Sequence, residues 1–387
     1  MKYLVVLLIA VVMLLTIDRS LIDKIVGRIK RRIAPVKIPS DAQRIIAELP
    51  KEAEKISVET ALNSRCNSDY DGNQKYVHWG MFDPSKKLSA EQIKRVVSLV
   101  KIPRFTDKRV EIQVAGNVLT FVIGNTASGL LRDRMMVESG MQQQAIGLIC
   151  AALGVGMVFK NLGKDGTSIS SNDYGTVKVQ LDAMKPSYNG SYWSDLPPIG
   201  RRRWVGGNLQ DPLRQGNIPL VASITKLTTK NKGLKKTGER EKSQLFWAAR
   251  GRTPHFYKSK PWGMTIPIWT DEFELSSIYL ISNNKLFEYS NWESNKPTHS
   301  LKELSKISEE SSQQLSRAIL FGEEFLVIGR NDDFARALWE IGYQLLNLLV
   351  QSHALGISYS ALLLDEEQKA LIQGIGIKNP IALMAIK

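Results

Sequence analysis

Two stretches of this 387-residue chain align without a gap at an offset of 202 positions (340 − 138). ESGMQQQAIGLICAALGVG begins at Glu138, and EIGYQLLNLLVQSHALGIS begins at Glu340. Arg134 pairs with Arg336, Glu138 with Glu340, Gly140 with Gly342 and Gln142 with Gln344. Ala152, Leu153 and Gly154 pair with Ala354, Leu355 and Gly356. Apolar residues recur at helical spacing in both: Met141, Ala145, Leu148 and Ala152 in the first, Tyr343, Leu346, Val350 and Ala354 in the second. Each stretch ends at a glycine, where a helix stops readily. The period is domain-sized, far longer than that of a solenoid repeat. The pattern predicts a duplicated domain, each copy built around one buried helix, at 134–156 and 336–358. Two ordinary core helices with chance Ala-Leu-Gly endings are the competing reading. Small residues such as Gly147, Ala151 and Ala152 permit close approach, and an isologous contact needs the same surface twice. Such residues suit a helix that meets a close partner.

The first residues constrain location. YLVVLLIAVVMLLTI, from Tyr3 to Ile17, is uninterrupted and apolar, slightly short of the roughly 20 residues of a typical span. Leu21, Ile22, Ile25, Val26, Ile29 and Ile33 continue an apolar face through a basic amphipathic stretch. Asp18, Arg19 and Ser20 follow the apolar core where a cleavable signal peptide would present small residues. An uncleaved, single-pass anchor over residues 1–33 is expected. Lys24, Arg28, Lys30, Arg31 and Arg32 lie after the apolar segment, which places the bulk of the chain on the cytoplasmic side of an inner membrane.

More of the net charge of +14 sits between Lys226 and Lys242, in KLTTKNKGLKKTGEREK, which reads as a solvated loop. The sequence holds no recognition-helix motif, zinc finger or aromatic-basic RNA-binding signature, so no nucleic-acid partner is expected. Cys66 and Cys150 offer no disulfide framework. His78, His255, His299 and His353 are scattered, and no metal site is expected.

Local signals divide the chain further. Residues 34–85 read as a tether and a peripheral helix, 86–200 as the first copy, 201–241 as a basic linker that could wrap over one copy, and 242–387 as the second copy. Ser89 opens a capped amphipathic helix with Ile93, Val96, Val97 and Val100 on one face. Val110 to Gly124 reads as two strands around Gly116-Asn117. Ser243 to Trp247 suggests a helix start. Glu274–Ser282 and Lys285–Ser290 read as a hairpin across Asn283-Asn284. Helices are expected in the 301–320 region and over LDEEQKALIQGIG, and IALMAI reads as a buried strand. Strands and helices mix without strict alternation, so the fold class is α+β.

The repeat helices also carry a resemblance. GMQQQAIGLICAALGVG, with Gly140, Gln144, Ala152, Leu153, Gly154, Val155 and Gly156, resembles the central-helix pattern of the nitroreductase superfamily. Gly342, Asn347, His353, Ala354, Leu355, Gly356 and Ile357 match in the second copy, where Leu346 replaces the Gln. SQLFWAARG from Ser243, MTIPIW from Met264, YLISNNKLFEY, THSL and the closing DEEQKALIQGIGIKNPIALMAI are similar, in order, to the SagB-type dehydrogenase branch. This second resemblance covers most of 242–387, and 86–200 more weakly. It implies FMN bound between two intertwined subunits, here fused into an intramolecular pseudo-dimer, and hydride transfer to a small-molecule or peptide acceptor. Phosphate ligands implied by position are Arg250 and Arg252, or Arg201 to Arg203, each of which also fits a solvated basic loop. Implied ring contacts are Thr265, Ile266, Pro267, Ile268 and Asn347. Trp269 could stack on a ring or sit in the interior. Arg134 and Arg336 could bind a ligand or tie the central helix to a strand. Pro267-Ile268 stands where the family has Pro-Ser, and its Arg-Arg-Ser-x-Arg phosphate motif has no clear counterpart. A cofactor-free scaffold or binding module at the membrane is the alternative function.

Overall fold

The computed structural model describes residues 56–64, 67–68, 88–107, 110–123, 129–153, 155–160, 176–182, 206–253, 263–267, 274–294, 296–319, 321–333 and 335–387. The expected anchor over 1–33, most of the tether, Cys66, Arg201 to Arg203, Ile268 and Trp269 lie outside the described residues. Among those described, no helix is long and apolar enough to cross a membrane.

In chain order the elements are α1 (Val58–Ser64), β1 (Asn67–Ser68), α2 (Ala90–Leu99), β2 (Glu111–Ala115), β3 (Val118–Val122), α3 (Gly129–Ala152), β4 (Gly156–Lys160) and β5 (Thr176–Asp182). Then come α4 (Leu220–Ile224), β6 (Lys230–Asn231), α5 (Glu239–Arg250), β7 (Arg252–Thr253), β8 (Gly263–Met264), β9 (Ser276–Ser282), β10 (Lys285–Glu293) and β11 (Lys296–Lys306). The last are α6 (Glu309–Ile319), β12 (Glu324–Arg330), α7 (Ala335–Leu355), β13 (Tyr359–Leu363), α8 (Glu366–Gly374) and β14 (Pro380–Ile386). The fold class is α+β, as expected.

Local chemistry accounts for the sharpest boundaries. Ser89 accepts from the Gln92 amide while the Gln92 side chain accepts from the Ser89 amide, a reciprocal cap that starts α2. Asp365 and Gln368 do the same for α8. Asn283 and Asn284 both take positive φ, 51° and 57°, which lets a two-residue turn follow the twist of β9 and β10. The helix α7 stops at Leu355 because Gly356 turns to φ 69°. Both long helices end slightly earlier than their sequence pattern suggests, and in the first case Gly156 already opens β4.

The first sheet has the order β1-β4-β5-β3-β2. The second has seven strands, β11-β10-β9-β12-β14-β13-β6, every adjacent pair antiparallel. Its central strands are buried on both faces. Ile278, Leu280, Leu326, Ile328, Ala382 and Met384 join the main core, where α5 and α7 lie. Tyr279, Ile281, Phe325, Val327, Leu383 and Ala385 face the other way, against Leu315 and Ile319 of α6 and Ile372 of α8. Period-2 alternation between two apolar layers explains why IALMAI reads as an unbroken apolar run.

Four expectations need correction. Residues 301–306 complete β11, and the helix begins only at Glu309, because Leu301 to Lys306 pairs along β10. The basic run is not simply a solvated loop. Lys230–Asn231 pairs with β13 at the sheet edge, and the helix α5 begins at Glu239, inside the stretch read as linker. Part of that linker, α4, is wholly buried. Within the segment read as a tether, α1 is also interior: Val58, Ala61 and Leu62 are inaccessible, and Gln351 donates to Glu59 at 2.8 Å.

The helices α3 and α7 cross at Gly140 and Gly342. A methyl group at Gly140 would collide with the Trp339 backbone, and one at Gly342 would collide with the backbone of Val137 and Met141. Gly140 stands to Trp339 as Gly342 stands to Val137: the contacts exchange under the 202-residue offset. The larger of the two apolar clusters draws on residues from 58 through 386 and includes the neighbours of this crossing. Gly342→Ala should therefore destabilise the fold by about 1–3 kcal/mol or more, because helix backbones rather than flexible side chains must move. Gly374→Ala, which meets nothing within 4 Å, should be neutral or slightly stabilising. Urea unfolding of the two variants compares them directly.

Candidate functional site

Glu138 and Glu340 are acids on the buried faces of two largely apolar helices, 3% and 2% exposed. A carboxylate in such a place must find donors. The two find different ones. Glu340 pairs with the guanidinium of Arg250, from the last turn of α5, and accepts from Ser276 Oγ at 2.5 Å. Gln344 donates to the same hydroxyl at 2.6 Å, and Glu274 lies 3.7 Å from Arg250. Burial opposes the Arg250 charge, but Glu274 and Glu340 outweigh it and hold its pKa above the usual value. Burial in turn leaves the Glu340 carboxyl above its ordinary range, although Arg250 and Ser276 pull it down. Glu138 instead accepts from the backbone amides of Phe105 and Thr106 at 2.6 and 2.9 Å, and from the Thr106 hydroxyl at 3.1 Å. Burial raises its pKa, against those bonds and the nearby Arg104.

The residues implied as flavin ligands form two groups. Gln144 of α3 donates to the Thr265 carbonyl and to Asn347 Oδ1, both at 2.9 Å. Asn347 Nδ2 donates to the Ala248 carbonyl at 2.9 Å and to the Thr265 carbonyl at 3.4 Å. The Thr265 hydroxyl donates to the Trp247 carbonyl at 3.3 Å. Ile266 and Pro267 are also buried. This polar cluster draws on both halves of the chain, and Gln144 Oε1 has no partner in it. The second group lies at the end of α5. Arg250 is 3% exposed and committed to Glu340. Arg252 lies 4.7 Å over the Trp292 ring and donates to the Asn291 carbonyl at 3.3 Å.

A flavin phosphate requires a cation or amide donors turned toward it. Arg250 is turned inward to a carboxylate, and so departs from the role implied for it. On the ring side, Gln144 Oε1 is buried without a partner, and Ile266 and Pro267, which follow Thr265 in the chain, are buried.

Arg134 donates to the Leu363 and Leu364 carbonyls at 3.3 and 3.4 Å. It therefore ties α3 to the end of β13, the strand-bridging role. Arg336 is buried. Sequence reasoning missed a second buried relay. Tyr289 and His299 Nδ1 are 2.8 Å apart, His299 Nε2 and Ser243 Oγ are 2.8 Å apart, and Ser243 donates to the Gln210 carbonyl at 2.5 Å. The Ser243 proton is thus used on Gln210, so Nε2 donates to Ser243 and Nδ1 accepts from Tyr289. That direction leaves His299 unable to act as a base toward Ser243. Only the THSL motif pointed to this histidine in the sequence. Among the described residues no His, Cys, Asp and Glu group could hold a metal ion.

The fold and the site define an α+β protein organised on a crossed helix pair, with a polar cluster shared between its halves. No protein-family model and no curated protein matches the sequence. Among solved structures, the chain is similar to one from Anabaena variabilis assigned as a nitroreductase: 10% identity, TM-score 0.44, 66% of this chain and 65% of that one. It thus spans just under two thirds of that protein. It is also similar to one from Ralstonia eutropha with the same assignment: 16% identity, TM-score 0.32, 49% of this chain and 91% of that one.

Removing Arg250 should unfold rather than merely empty a site. Arg250→Ala strands Glu340 in the core and should cost about 3–5 kcal/mol in chemical denaturation. The double variant Arg250→Met with Glu340→Leu should recover most of that loss.

Proposed function

We propose that this chain is a nitroreductase-like flavin oxidoreductase of the SagB type, duplicated in tandem so that one polypeptide forms a pseudo-dimer. Residues 1–33 hold it at the inner membrane, with its bulk on the cytoplasmic side. It passes hydride from a reduced nicotinamide or another donor to a small-molecule or peptide acceptor. The observation that carries this reading is the polar cluster at the paired helices. Gln144 from one half meets Thr265 and Asn347 from the other, where the sequence resemblance implies a flavin ring between two subunits.

When bound, FMN would supply two-electron chemistry. This chain's residues would orient it. Gln144 Oε1 would accept from a ring N–H, and Ile266 with Pro267 would form the apolar wall. Asn347, tied to the Ala248 carbonyl, would hold the Gln144 amide in place. The phosphate grip falls to groups other than Arg250.

A second reading is a cofactor-free scaffold or binding module at the membrane. The Arg250–Glu340 pair favours it, since it turns the best-placed cation into a structural group.

Flavin content separates the two. Full-length protein extracted in mild detergent should carry FMN or take it up on incubation, seen in its visible absorption. Gln144→Leu, which removes the ring bond worth about 1 kcal/mol as well as the bonds to Thr265 and Asn347, should weaken FMN binding by at least about five-fold. Absence of bound flavin in the wild type even at excess FMN would overturn the oxidoreductase reading in favour of the scaffold.

A further inference from the structure

The first half contains a cavity of about 570 Å³, lined by Val97, Val100, Lys101, Ile102, Arg104, Val110, Ile112, Glu138 and Gln142. Its origin follows from the broken equivalence of the two buried acids. In the second half, the Arg250 side chain enters from α5 to meet Glu340. In the first half a short polar group, the Thr106 hydroxyl, meets Glu138 where the second half has a long arginine. The Phe105 and Thr106 amides complete the carboxylate's partners, and the cavity lies between the end of α2, the start of β2 and α3. The volume falls within the range of about 300–1,000 Å³ typical of small-molecule sites.

The lining specifies a ligand. Five aliphatic side chains from α2, the 100–102 turn and β2 make an apolar wall. Lys101 and Arg104, both exposed, stand at the edge. Against these two cations the cavity sets one carboxylate, Glu138, whose oxygens already accept from three donors. The local balance therefore favours an anion. On the α3 side, Gln142 Nε2 donates to the Val110 carbonyl at 3.5 Å, and Gln142 Oε1 is buried with no partner. An unmet buried acceptor costs stability that a donor from a ligand would recover.

We infer that this cavity binds a small amphipathic carboxylate that carries an N–H or O–H donor between its apolar body and its charge. The apolar body lies on Val97, Val100 and Ile112, the donor meets Gln142 Oε1, and the carboxylate reaches Arg104 and Lys101. The site stands whether or not the second half holds a flavin. Its failure and that of the oxidoreductase reading are separable, because the two use different residues and different ligands.

N-benzoylglycine is a suitable probe, having an aromatic body, one amide N–H and one carboxylate. Its methyl ester lacks the charge, and N-benzoyl-N-methylglycine lacks the donor. Calorimetric titration into the full chain should show saturable binding of N-benzoylglycine. The N-methyl analogue should bind about five- to ten-fold more weakly, the value of one ordinary hydrogen bond, and the methyl ester about ten- to hundred-fold more weakly, that of a charge-assisted one. In Gln142→Leu the N–H and N-methyl ligands should bind equally, and in the double variant Lys101→Ala with Arg104→Ala the acid and ester should converge. Each comparison requires that the variant still bind N-benzoylglycine measurably, so a general loss of folding, which abolishes binding of every ligand, is told apart from it. Absence of saturable binding to the wild type at millimolar probe, or equal affinity for all three ligands, would overturn the inference.

Discussion

The architecture depends on one close approach. Two helices of 24 and 21 residues meet where each presents a glycine, and backbone packs on backbone. Any side chain at either position would drive the axes apart and open the core on both sides. The contacts exchange under the sequence offset, so one surface serves both partners, the economy of a two-fold interface inside a single chain. Everything else is arranged around the pair. The seven-stranded sheet and α5 cover α7, while α1, α2 and the first sheet accompany α3.

Equivalent sequence positions do not receive equivalent surroundings. Glu138 and Glu340 occupy the same place in the repeat, yet one is met by backbone amides and the other by an arginine. A buried ion pair adds little to stability over a well-packed apolar alternative, but losing one partner is expensive. Once Arg250 is committed to Glu340, it is unavailable to an anionic ligand. Where the short Thr106 stands instead, a cavity remains. The two halves thus differ in chemistry on either side of the crossing that joins them.

The polar cluster of Gln144, Thr265 and Asn347 shows how such a crossing can create a shared site. None of the three could be satisfied by its own element alone. Each carries a group that would be costly to bury unpaired, and each finds its partner across the interface. A site at this position inherits rigidity from the helices that hold it, and an unpaired acceptor such as Gln144 Oε1 is where a ligand could add to it.

Much of this was legible in the sequence, because it depends on local rules. The paired helices follow from apolar spacing and terminal glycines, the β9–β10 hairpin from Asn283-Asn284, α2 and α8 from their caps, and β14 from its apolar run. The gap-free offset also identified Gly140 and Gly342 before any contact was visible. What the sequence could not specify were relations between distant segments. Leu301 to Lys306 carries polar residues that suit a helix, yet pairing with β10 makes it a strand. Val58–Ser64 and Leu220–Ile224 are too short to announce themselves as core, and only docking beside α7 buries them. Arg250 reads as a surface cation next to a glycine. Glu340, ninety positions away, turns it inward, since a buried carboxylate must have a partner and sequence spacing does not say which one it takes.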